Sequence, residues 1–200
     1  MATSRVETSP LMLSTEQMIA LHCFFAEAAA VGESTITERS GCETEVELNE
    51  IRCTPLACFG EEGMWLSEDL VAGVMGRMEG AIPGSFALVL EPEEALLWAR
   101  SVTGVDPLES FVRLGQELLG GITAALAELL GTPATLRDAR LVELPELAML
   151  IRTHAPLDTL VFSLRLRILW RDEIVSAHAH ALFEPKHLAR LLSALSAAAH

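Results

Sequence analysis

The sequence predicts an α/β fold in which two long helices pack on a β-sheet inside a single pseudo-twofold domain, and three observations carry that expectation. Two stretches of helical period, near 14–40 and 108–130, each end on a glycine, Gly41 and Gly131. Markers recur at a fixed offset of 90 residues, with Glu27, Glu38, Gly41 and Pro55 answered by Glu117, Glu128, Gly131 and Pro145. At an offset of 93, Glu91-Pro92 is answered by Glu184-Pro185, each pair opening a short apolar helical run. Elements that repeat in the same order fit one domain of two halves, about 14–104 and 105–200, after a short N-terminal segment 1–13.

Ser14 opens the first helix with Gln17 three residues on, a capping-box pattern ahead of the buried stripe Met18, Leu21, Phe25, Ala29 and Gly32. The period then changes to two: Thr44, Val46 and Leu48 alternate with Glu45 and Glu47, which reads as a strand. A second strand is expected within Met64–Met75, a third over Ser85–Leu90 after the Pro83-Gly84 turn. Pro92 sits at the first position of a short helix with acids at its positive end. Asp106-Pro107 starts the second long helix, whose core spacing is Phe111, Leu114, Leu118, Ile122, Leu126 and Leu129. Strands follow over Ala139–Leu144, Leu160–Trp170 and Ile174–Phe183. In the middle one Phe162, Leu164, Leu166 and Ile168 face the helices and Arg165 and Arg167 face solvent. The last helix uses Leu188, Leu191, Leu192 and Leu195.

Half of the chain is hydrophobic, enough for one sizeable core, and the formal net charge is −14 with Lys186 the single lysine. That field repels a phosphate backbone, and no basic tract or nucleic-acid motif offsets it. Residues Met1–Pro10 are polar and lack the apolar stretch of an export signal, and every apolar run is broken by Glu, Arg or Gly, so a cytoplasmic protein without membrane insertion is expected. Cys23, Cys42, Cys53 and Cys58 then read as reduced, buried cysteines. Neither their spacing nor that of His178, His180 and His187 makes a zinc motif, and no cofactor or metal is expected. The glycine-rich stretch 73–84 lacks the Lys-Ser or Lys-Thr of a phosphate loop.

The order helix, glycine, strand, hairpin resembles the CheC, CheX and FliY family of chemotaxis proteins, phosphatases of phospho-aspartate on response regulators, over nearly the whole chain from Ser14 to Leu195. In that family each active helix carries Glu-x-x-Asn and ends in Leu-Gly. Anchored on Gly131, the resemblance places Arg113 at the Glu position and Gln116 at the Asn position. Anchored on Gly41, it places Cys23 and Ala26 there. The family mechanism pairs the Glu with a receiver lysine while the Asn amide orients the attacking water. Arg113 sets a cation against that lysine, Gln116 carries its amide one methylene too far, and Cys23 and Ala26 offer neither function.

The resemblance therefore implies a non-catalytic binding or scaffold protein contacting a receiver domain or motility-system protein, as a homo- or hetero-oligomer in some assemblies. The alternatives are weak phosphatase activity through Gln116 with Glu109 or Glu117, and an oligomeric module like those of the flagellar switch. Glu27 and Glu117, each one residue past the Asn position, are read first as helix-surface acids and, as the alternative, as partner-binding contacts together with Cys23, Ala26, Glu109, Arg113 and Gln116. Glu109 and Arg113 are expected to pair across one turn.

Overall fold

The structure, a computed structural model, describes residues 13–58, 72–80, 82–143 and 159–198. Helix α1 (Thr15–Ser40) begins where the sequence places it: the Ser14 hydroxyl accepts from Gln17 N–H and the Gln17 side chain accepts from Ser14 N–H. It ends as Gly41 enters the left-handed region at φ 65°, a conformation glycine adopts without a Cβ penalty. Strands β1 (Glu45–Pro55), β2 (Ala72–Gly80) and β3 (Gly84–Leu90) follow, then α2 (Pro92–Ala99). The second half runs α3 (Pro107–Leu130), β4 (Ala134–Glu143), β5 (Leu160–Trp170), β6 (Glu173–Phe183) and α4 (Pro185–Ala198). Asp106 caps α3 by accepting from Leu108 and Glu109 N–H, and Gly131 closes it at φ 59°.

The six strands form one antiparallel sheet in the order β1-β5-β6-β3-β2-β4. Exchanging β1 with β4, β2 with β5 and β3 with β6 turns this order into its own reverse. Of the strand expected over Met64–Met75, the described part is β2 from Ala72 on, and residues 59–71, with Trp65, Leu66 and Leu70 among them, lie outside the described residues. His154 does too. Strand β4 begins five residues before the expected Ala139, because Leu136 and Ala139 turn inward around an irregularity at Asp138 (φ 53°) that hides the alternation.

The helical layer corrects the expected architecture: among the described residues four separate helices, not two long ones, pack against the sheet. Six strands about 4.8 Å apart span roughly 24 Å, more than two helices of about 10 Å diameter cover. The runs opened by the two Glu-Pro pairs fill the remainder. Trp98 of α2 is fully buried edge-on to Phe111 of α3, and Leu188 and Leu191 of α4 are buried as well. Phe25, Phe162, Phe183 and Phe86 form a chain of ring contacts through the centre of this core.

Helix α1 is long and apolar enough, by length and composition, to cross a membrane, contrary to the reading of its broken apolar runs. Its inner side, Leu21, Phe25, Ala28, Ala29 and Ile36, is fully buried in the same core as α3. A core helix reaches that composition by packing alone.

Candidate functional site

The two long helices cross where neither has a side chain. A methyl group on Gly121 would lie 2.7 Å from the Gly32 nitrogen, and one on Gly32 would lie 2.6 Å from Leu118 Cδ1 and 2.8 Å from the Leu118 carbonyl oxygen. From this crossing the helices run antiparallel, because the end of α1 at Arg39 and Ser40 meets the N-terminal half of α3 at Arg113 and Glu117. Gly115 seats α3 on the sheet, where an added Cβ would sit 2.9 Å from Val74 Cγ2. The outward line of α3 then carries Glu109, Arg113 and Gln116, all exposed.

Arg113 faces its own protein. Its Nε donates to Glu117 Oε1 at 3.0 Å, and Nη2 donates to the Arg39 carbonyl at 2.6 Å. That carbonyl is among the last of α1, at the negative end of the helix dipole, so the guanidinium acts as a C-terminal cap delivered from another helix. Glu117 Oε2 accepts from the Ser40 hydroxyl, which gives its second oxygen a partner. Only 6% of the Glu117 side chain is exposed, against 44% for Arg113.

This arrangement corrects two expectations. Glu117 is a buried acid rather than a helix-surface one, and the pair across one turn forms toward Glu117 instead of toward Glu109. Both acids lie four residues from Arg113, and an acid on the N-terminal side is the better choice in an isolated helix. Burial overrides that small preference, since Glu117 has no water to turn to and takes the available cation.

At the first helix Cys23 and Glu27 are exposed and Ala26 is half-buried. Glu27 is thus a surface acid, unlike its counterpart Glu117. Cys23 and Ala26 lie on the same outer line of α1 as Ile19, which is 58% exposed, and Ala30. The structure brings Arg113, Glu117 and Ser40 together, and it places Cys23, Ala26 and Glu27 on a separate stretch near the start of α1. Ser40 and the Arg39 carbonyl were not legible as members of the site, because they are joined to α3 only by the helix crossing.

Other candidates resolve structurally. Cys58 joins Cys23 as exposed, and only Cys42 is fully buried, so the expected burial of all four thiols does not hold. Burial pushes the half-exposed Cys53 thiol up to about 11, which keeps it protonated. His178 and His180 stack at 6.4 Å between centroids on one face of β6. His180 is buried although His178, two residues before it on the same face, is exposed; its Nδ1 lies 3.0 Å from the Ser163 hydroxyl, and burial followed by the charge of His178 lowers its pKa to about 3. Among the described residues no three His, Cys, Asp or Glu side chains converge as a metal site would require.

No protein-family model matches the sequence, and no curated protein matches it either. Solved structures do. FliY of Thermotoga maritima superimposes with a TM-score of 0.73 at 13% identity, covering 93% of this chain and 98% of that one. The chain has the FliY fold. The middle domain of FliM from H. pylori matches with a TM-score of 0.61 at 13% identity, over 91% of this chain and 99% of that one. A chain of the FliG–FliM complex from H. pylori matches with a TM-score of 0.61 at 13% identity, over 90% of this chain and 100% of that one.

Proposed function

We propose that this protein is a non-catalytic binding or scaffold component of bacterial chemotaxis, motility or two-component signalling, cytoplasmic, and contacting a response-regulator receiver domain or a motility-system protein. The observation that carries the reading is the engagement of Arg113. The residue at the family's acid position is a cation, and it is held by Glu117 and the Arg39 carbonyl as part of the packing of α1 on α3. A docking acid is therefore replaced by an internal clamp. The other position pair, Cys23 and Ala26, has no group to orient water. The FliY-like fold, and its occurrence in a FliG–FliM complex, support a binding role.

We also infer one domain over 14–200 with two pseudo-repeats, about 14–104 and 105–200, which the self-reversing strand order supports. Homo- or hetero-oligomers are consistent with the motor-protein neighbours. No cofactor enters the proposed role.

The test is a binding titration of fluorescently labelled receiver domains, with and without beryllofluoride activation, and of purified motor components from the same genome. Saturable binding to one of them supports the reading. Absence of binding across the whole panel sinks it.

A further inference from the structure

We propose that the corner of the sheet formed by β2 and β4, on the face turned away from the helices, is a docking surface for an extended acidic segment of a partner protein. This goes beyond the helix-face role above and does not depend on it. Strand register fixes the geometry: Val161, Leu182, Ser85, Arg77 and Arg137 lie directly opposite one another in one row across five strands. The next row runs Ser163, His180, Ala87, Met75 and Arg140. Both rows are buried over β5 and β6 and end in arginine at β4.

Arg77 and Arg137 are both exposed, and neither has a hydrogen-bond or ion-pair partner among the described residues. Like charges directly opposite on neighbouring strands destabilise a sheet, so the free protein carries a pair that a bound carboxylate would turn from repulsive to bridged. The placement is unusual in a chain of net charge −14, whose outer field discourages acids everywhere except at such a local patch. Glu79 and Asp138 are nearby in sequence and form no ion pair with either arginine.

Strand β4 is a sheet edge, with no further strand beside it among the described residues. An extended segment laid along it puts every second side chain over the arginine face. The irregularity at Asp138 interrupts the flat edge that would otherwise pair with any apolar strand, which leaves charge to select the occupant.

The experiment uses the full chain and a fluorescein-labelled decapeptide of alternating glutamate and valine, read by anisotropy. Binding is expected, weakening as salt rises from 50 to 400 mM and falling about tenfold or more in the Arg77→Gln/Arg137→Gln double variant, while Arg100→Gln on the α2 side leaves it unchanged. The double variant removes a like-charge pair and is expected to melt no lower than the parent. Should it fail to fold, Arg137→Gln alone carries the comparison. Equal binding by parent and variant, or none by the parent, overturns the proposal. So does arginine-dependent binding of anionic vesicles or inorganic phosphate without the peptide, or arginine-dependent self-association by light scattering in its place.

Discussion

Arg113 and Glu117 set the behaviour of the α3 face at the level of single side chains. Removing the cation in Arg113→Ala leaves Glu117 buried and holding one hydrogen bond, from Ser40. For a pair with one half-exposed member the expected loss is about 1–3 kcal/mol, below the figure for fully buried pairs. Urea unfolding of Arg113→Ala against Arg100→Ala measures it, and equal midpoints would show that the clamp contributes nothing. The same contact governs any attempt to graft a Glu-x-x-Asn pair onto α3. Arg113→Glu with Gln116→Asn supplies that pair but sets a second carboxylate one turn from buried Glu117, so the graft is expected to destabilise the protein and to accelerate receiver dephosphorylation only when Glu117→Gln is added. Activity in the two-site graft equal to that in the three-site one contradicts this.

His180 gives a pH dependence whose sign follows from burial. Its folded pKa, about 3, lies below the ordinary histidine value of 6.5, so the unfolded chain binds the proton first. The stabilisation is complete above about pH 6.5 and is lost as pH falls toward 3, at up to about 1.4 kcal/mol per pH unit. His180→Gln keeps a polar partner for Ser163 and is expected to flatten stability between pH 6.5 and 5. An unaltered slope would place the acid sensitivity elsewhere. The sequence does not mark this histidine as buried, since alternation with His178 gives the face but not whether that face is covered.

At the scale of elements, the close crossing of α1 and α3 rests on glycines 32 and 121. Gly121→Ala forces backbone against backbone and is expected to cost about 1–3 kcal/mol, the usual range for overpacking. Gly120→Ala, whose Cβ meets nothing within 4 Å, is expected to gain up to about 1 kcal/mol from helix propensity. Thermal melts of the two adjacent variants should therefore move in opposite directions, and a shared direction would contradict the crossing geometry. Helix ends were the most legible elements, because Ser14 with Gln17, Asp106, Gly41 and Gly131 act through local hydrogen bonds and dihedral angles that sequence states directly. The crossing partners of Gly32 were not, since helical periodicity marks a buried face without saying what packs on it. The two short helices were read as local runs, yet their part in covering the sheet depends on its six-strand width, a tertiary quantity.

For the whole molecule, one six-stranded sheet carries two unequal helix faces. The α1 face has Cys23, Ala26 and exposed Glu27, while the α3 face has Arg113 drawn inward by Glu117. The mismatch of Cys23, Ala26, Arg113 and Gln116 with a Glu-x-x-Asn pattern was readable from residue types alone. What Arg113 contacts was not, because the choice between Glu109 and Glu117 is decided by burial between two helices. The most direct test of a binding protein without catalysis is the lifetime of the aspartyl-phosphate on a receiver domain that binds it, measured with saturating protein and without. The same lifetime is expected in both. A shortened lifetime that Gln116→Ala restores to the value without protein would contradict it and establish the second helix as a working phosphatase site.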